Sequence, residues 1–173
     1  GTSHHFVTLA TAEYLGKKPE DLKIITCHLG NGSSIAAVKN GKVLDTTMGL
    51  TPLAGVVMGT RSGDLDPAVV FTLIREGMSV DEVDNLLNKK SGLLGVGGIN
   101  SNDMRDIISN AQNGVESAKL ALDMWTHRLV FYIGAYYALL GGADAIVFTG
   151  GIGENSAPAR ATLIEQLAAI GCD

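Results

Sequence analysis

Three features of the pattern predict an α/β fold for this 173-residue chain. Residues 22–50 break into three short β-rich runs parted by turn residues, and residues 115–140 repeat apolar side chains at spacings of three and four. A further β-rich run, ADAIVFTGG, comes later and leads into a helical stretch. A meander, then helices, then a strand backed by a helix is the order of an α/β arrangement.

Residues 3–16 predict the first helix, with Phe6, Leu9, Ala10 and Leu15 as its apolar face and Gly16 at its stop. KIITCHL, SSIAAV and KVLDTTM follow, separated by Gly30-Asn31-Gly32 and by Lys39-Asn40-Gly41, and predict a three-stranded antiparallel meander. Asn40-Gly41 is the stronger hairpin signal. After the loop GLTPLAGVVMGTRSGDLDP, Asp66-Pro67 starts a helix, Ser79 caps VDEVDNLLNKK and Ser101 caps NDMRDIISNAQ. In the long helix, Ala118, Leu122, Trp125, Leu129, Ile133 and Tyr137 share one face, and His127 reads as structural. ADAIVFTGG reads as a buried strand, with APARATLIEQLAAIG as the helix behind it. There is no internal repeat and no low-complexity linker.

An apolar content of 46% with mixed charge suits a globular chain able to bury a core. Thirteen Lys and Arg against eighteen Asp and Glu give a net charge of −5. The basic residues are scattered, which excludes nucleic acid as a partner, so any anion must be held by a few positioned donors. The most apolar stretch, residues 129–143, is shorter than the roughly 20 residues of a membrane span, and Asp123 and Arg128 closely precede it. No membrane partner is expected. No signal peptide is visible, and His4-His5 is too short for a purification tag and reads as native. Cys27 and Cys172 lack a paired spacing, which suits a reducing cytoplasm. The first residue is Gly and not Met, so the chain is expected to be a piece of something longer.

Four stretches are candidate working loops. In His28-Leu29-Gly30-Asn31-Gly32, glycines let backbone N–H groups approach an anion and His28 can donate to a phosphate oxygen; the plainer reading is a tight turn beside a half-buried histidine. Cys27 and His28 are neighbours on a strand, point to opposite faces and cannot be a catalytic dyad. In GTRSGDLDP, Arg61 offers a planar, permanently charged fork for a carboxylate or a phosphoryl group, or else pairs with Asp64 or Asp66. In SNDMRD, a helix start favours an anion; Asp103 could accept from a ribose hydroxyl and Arg105 lie against a base or phosphate, or Asp103 merely favours the helix dipole. TGGIGENS lies between a strand and a helix, where α/β folds place nucleotide phosphates. Neither TGGIGENS nor LLGVGGIN completes the dinucleotide fingerprint, and no Walker lysine is present. No cluster has metal-ligand spacing.

GTSHHFV, CHLGNGSS, TPLAGVVMGTRSGDLDP, SNDMRD and FTGGIGENSAPAR occur in the order and approximate spacing of the acetate kinase family, which the whole chain resembles. The resemblance implies a ribonuclease-H-like domain of the actin, hexokinase and acetate kinase type. Residues 1–173 would be most of the second, nucleotide-binding domain, with the first domain and the extreme C-terminus absent. It implies that His28, Leu29, Gly30, Asn31, Gly32, Asp103, Met104, Arg105, Gly151, Ile152, Gly153, Glu154 and Asn155 line ATP or ADP. It makes Arg61 and His28 catalytic and places Pro52 beside Arg61 at the acetate methyl. The reaction implied is reversible transfer of the ATP γ-phosphoryl group to acetate, giving acetyl phosphate and ADP. Mg²⁺ would accompany the nucleotide, with its protein ligand outside this chain, and a homodimer would use the long helix. Alternatives are a propionate or butyrate kinase, or a nucleotide-binding and dimerisation module without catalysis. Lacking one wall of the cleft, the chain alone is expected to have little or no kinase activity. A departure from the family pattern is GVGGIN, residues 95–100, which bears on local loop geometry.

Overall fold

The structure is a computed structural model that describes residues 1–172. β1 (Lys23–Leu29), β2 (Ser33–Lys39) and β3 (Lys42–Thr46) form the expected antiparallel meander, and β4 (Ala145–Thr149) joins β1 in parallel, giving the order β3-β2-β1-β4. Asn40 and Gly41, at φ 54° and 73°, make the tight turn between β2 and β3, as the strand twist requires.

β1 reads as a nearly unbroken apolar run because helices cover both of its faces. Ile25, Cys27 and Leu29 belong to a core beneath α6 (Glu116–Leu140), whereas Ile24 packs with Leu22, Val38 and Ala12 beneath α1 (Thr2–Tyr14). Within α6, Ala118, Trp125, Leu129 and Ile133 are buried as their spacing predicts. Asp66 and Ser79 cap α2 (Pro67–Arg75) and α3 (Val80–Lys89), the latter in a capping box with Glu82.

Five sequence expectations are corrected. The buried face of α1 is His4, Thr8 and Ala12, while Phe6, Leu9, Ala10 and Leu15 are exposed. A polar ring serves there because His4 bonds Thr26 of β1 and Ser34 of β2. Ser101 does not cap α5 (Met104–Gln112): Asp103 does, accepting from Arg105 N, while the Ser101 hydroxyl accepts from Asp103 N and donates to Asp106. β4 is half-exposed throughout, since among the described residues it pairs with β1 alone and its other edge is open. The glycine-rich stretch after β4 is itself a short helix, α7 (Gly150–Asn155), followed by α8 (Ala157–Leu167). His127, expected to be structural, is exposed on α6.

Residues 49–66 have no regular structure yet bury Val56, Val57 and Met58. The segment is fastened to α4 (Gly92–Gly97), whose Leu93 and Leu94 amides donate to the carbonyls of Met58 and Gly59. In the linker from α4 to α5, Gly98 and Asn100 both have left-handed φ.

Candidate functional site

A cleft of about 420 Å³ opens at the C-terminal end of β1. Three stretches meet in it: Gly30 and Asn31 from the β1–β2 turn, residues 102–105 at the start of α5, and Gly151, Ile152, Asn155 and Ser156 from the α7 region. Each is placed by local chemistry. The Ser33 hydroxyl donates to the Gly30 carbonyl at 3.0 Å and braces the turn. Gly150, at φ 79°, lets the chain leave β4 against β1, where a Cβ would fall 2.7 Å from the Leu29 carbonyl oxygen. Arg160 donates to the carbonyls of Gly153 and Glu154, both at 2.8 Å, satisfying the end of α7.

Asp103 stands at the mouth of the cleft with its carboxylate taken by Arg105, through Nε at 3.0 Å and Nη2 at 2.5 Å. These bonds, with that from the Arg105 amide, hold the Asp103 carboxyl at about 2. Met104 lines the cleft but packs its side chain into the core.

The remaining candidates stand apart. Leu29 and Gly153 are buried, the latter against Phe148. His28 and Glu154 line a separate depression of about 370 Å³ with Thr2, Ser3 and Phe6. Glu154 Oε1 accepts from Thr149 Oγ1 and Gly150 N. His28 Nδ1 is buried without a hydrogen-bond partner among the described residues, and its ring stands edge-on to His4 at 6.3 Å. His4 bonds Thr26 Oγ1 through Nδ1 at 2.7 Å and Ser34 Oγ through Nε2 at 2.8 Å. Burial first, then the positive amino terminus and His28, lower the His4 pKa to about 4. Cys27 is buried in the core, where desolvation raises its thiol pKa.

Arg61 and Pro52 come together: Arg61 Nη1 donates to the Pro52 carbonyl at 3.3 Å and lies 3.7 Å from the Met58 sulfur. Arg61 does not pair with Asp64 or Asp66. Asp64 instead accepts from Arg128 at 3.0 Å, from the Tyr132 hydroxyl and from Gly55 N, while Asp66 caps α2. Among the described residues no carboxylate neutralises Arg61, so its charge is available to an anion.

Sequence reasoning missed Asn102, Ser156 and Gly59. The first two line the cleft, and a Cβ on Gly59 would fall 2.0 Å from Asn31 Oδ1. Asn102 and Gly59 lie inside the quoted SNDMRD and GTRSGDLDP stretches, which was the available signal. Among the described residues no group of three His, Cys, Asp or Glu could hold a metal. Asp103 is held by Arg105, and Glu154 by Thr149 and Gly150, so both carboxylates are engaged within the chain.

This sheet order, with helices on both faces and a cleft at the strand ends, is that of the α/β domains of ribonuclease-H-like kinases. The sequence profile of the Acetokinase family matches residues 1–173, and the chain belongs to that family. Acetate kinase of Clostridium novyi (strain NT) is 58% identical over 172 residues, covering 99% of this chain and 43% of the relative. The crystal structure of Porphyromonas gingivalis acetate kinase superposes with a TM-score of 0.94 at 48% identity, covering 99% of this chain and 43% of that one. A propionate kinase from Francisella tularensis subsp. tularensis SCHU S4 superposes at 0.91 with 47% identity, covering 98% and 43%. The chain therefore spans less than half the length of the relatives it matches.

Proposed function

We propose that this chain is the nucleotide-binding second domain of an acetate kinase, which transfers the γ-phosphoryl group of ATP reversibly to acetate, giving acetyl phosphate and ADP. The observation that carries the reading is the cleft, where a glycine turn, the start of a helix and the α7 segment face one another; Arg61, which no carboxylate among the described residues neutralises, lies against Gly32 of that turn. In the unliganded chain Arg105 holds the Asp103 carboxylate; a bound ribose would take up that carboxylate and free Arg105 for the base or a phosphate. Gly30, Asn31, Gly151, Ile152 and Asn155 would supply backbone and amide contacts. The family resemblance assigns the transferring phosphoryl group to His28, which lies in the depression with Glu154 and not in the cleft itself.

Acetate is already ionised at neutral pH, so its oxygen attacks without a general base. Catalysis then reduces to alignment and to stabilising charge on the phosphoryl oxygens, the tasks of Arg61 and His28, with Pro52 beside the acetate methyl. Mg²⁺ would travel with the nucleotide, held by groups outside this chain. The other half of the cleft, supplied by the rest of the longer protein, makes activity of this chain alone slight. Two copies would associate through α6, whose Leu120, Phe131 and Leu139 are exposed. The free buried thiol of Cys27 suits a reducing cytoplasm. Among the described residues no helix is long and apolar enough to cross a membrane.

Calorimetric titration with Mg·ADP tests the reading. Binding in the micromolar to millimolar range, about −4 to −8 kcal/mol, supports it. Asp103→Ala should weaken binding and Arg61→Ala should barely change it. Absence of heat and of any thermal shift would count against a preformed nucleotide site.

A further inference from the structure

We propose that Asn102 is a positioning residue that fixes the amide of Asn31, so that the Asn31 NH₂ group, and not its oxygen, faces the phosphate oxygens of a nucleoside di- or triphosphate. The proposal rests on the nucleotide reading of the cleft. Asn102 Nδ2 donates to Asn31 Oδ1 at 2.6 Å, joining segments 71 positions apart, and both residues line the cleft. The backbone carbonyl of Asn31 is held as well, accepting from Gly59 N at 3.0 Å. Gly59 leaves the space in which the pair lies: a Cβ there would fall 2.0 Å from Asn31 Oδ1 and 3.0 Å from Asn102 Nδ2.

A carboxamide is a donor at one corner and an acceptor at the other. A free asparagine beside an anion must spend orientational freedom to avoid presenting its oxygen. Here that oxygen is engaged by Asn102, and among the described residues no acceptor takes the Asn31 NH₂ group. The donor is thus preset toward the cleft before a ligand arrives. Asn102 would act through Asn31, which makes the effect of its loss conditional on Asn31 being present.

A double-mutant cycle tests this by calorimetry, with ADP and adenosine as probes for the chain and for Asn102→Ala, Asn31→Ala and the double variant. Asn102→Ala should raise the ADP Kd by about five- to tenfold and leave adenosine within about twofold. Asn31→Ala should do the same, and the double variant should be no worse than Asn31→Ala alone. Asn102→Ser, too short to reach Asn31, repeats the test in a second side chain should the alanine variant fail to fold. Multiplying losses in the double variant, an unchanged ADP Kd in Asn102→Ala, or equal losses for ADP and adenosine would each overturn the proposal. Wild-type chain that binds neither probe would instead remove the nucleotide reading, and the proposal with it.

Discussion

Arg61 reaches across Gly32: a Cβ built on Gly32 would stand 3.1 Å from Arg61 Nη1, closer than such contacts normally come. The glycine turn after β1 and the arginine loop are thus fitted to each other by the absence of one methyl group. Gly32 does not have a positive φ, so its role is space and not backbone freedom. Gly32→Ala should therefore keep the fold and push aside the flexible end of Arg61, parting it from the Pro52 carbonyl. The expected result is a thermal midpoint within a few degrees of wild type, about 0.5 kcal/mol, with a clear shift of the Arg61 Nε–H NMR signal. An unchanged signal would show that the arginine does not lie there.

Gly92 has the opposite character. At φ 62° its Cβ would fall 2.1 Å from the Met58 carbonyl oxygen and 2.7 Å from that of Arg61, and both obstacles are backbone. Backbone held by the buried Met58 cannot give way as a side-chain tip can. Gly92→Ala should cost about 3 kcal/mol or more, strain and positive φ acting together. Denaturant unfolding followed by the fluorescence of Trp125, the chain's single tryptophan, which is buried on α6, measures it directly. A loss no larger than that of Gly32→Ala would contradict the packing described.

The contrast between these glycines shows what could be read in advance. Asn40-Gly41 declared its turn because the demand is local, and β1 declared itself because a strand covered on both faces must be apolar throughout. The α1 face was misread because pattern reading ranks Phe6 and Leu9 above His4, Thr8 and Ala12. Only the folded sheet shows that hydroxyls of Thr26 and Ser34 wait beneath the helix for the His4 ring. β4 looks buried by composition, and its open edge depends on which strands stand beside it. Three of the cleft's stretches were visible as glycine runs or a helix start. The Asn31–Asn102 bond and the space left by Gly59 were not, because they join segments far apart in the chain and exist only once it is folded.

Asp103 gives a prediction at acid pH. Its folded pKa, about 2, lies below the ordinary value of 3.8, first because the Arg105 side chain bonds the carboxylate and then because the Arg105 amide does. A depressed carboxyl contributes stability above its unfolded pKa and loses it as pH falls through the folded value, here from about 4 down to 2. The pair is largely exposed, so solvent screening keeps its effect on overall stability small. The sharper readout is carbon-detected NMR titration of the Asp103 carboxyl, with a midpoint near 2 that rises toward 3.8 in Arg105→Ala. A midpoint unmoved by that substitution would show that the pair does not form in solution.

His4 yields the prediction with the widest pH window. Its ring is buried and bonded to two hydroxyls, and burial is the first reason its pKa falls from 6.5 to about 4. For a base whose folded pKa is depressed, the unfolded chain takes up a proton that the folded chain refuses. Stability attributable to His4 is therefore fully present above pH 6.5, declines as pH falls toward 4, and changes no further below that. Unfolding followed by Trp125 fluorescence at steps between pH 7 and pH 4 should show this decline. His4→Gln, which cannot titrate, should remove that part of the slope even if it lowers stability at neutral pH. Equal slopes in the two proteins would mean that His4 accepts its proton without leaving the bonds to Thr26 and Ser34, and that the neutral ring is not what joins α1 to the sheet.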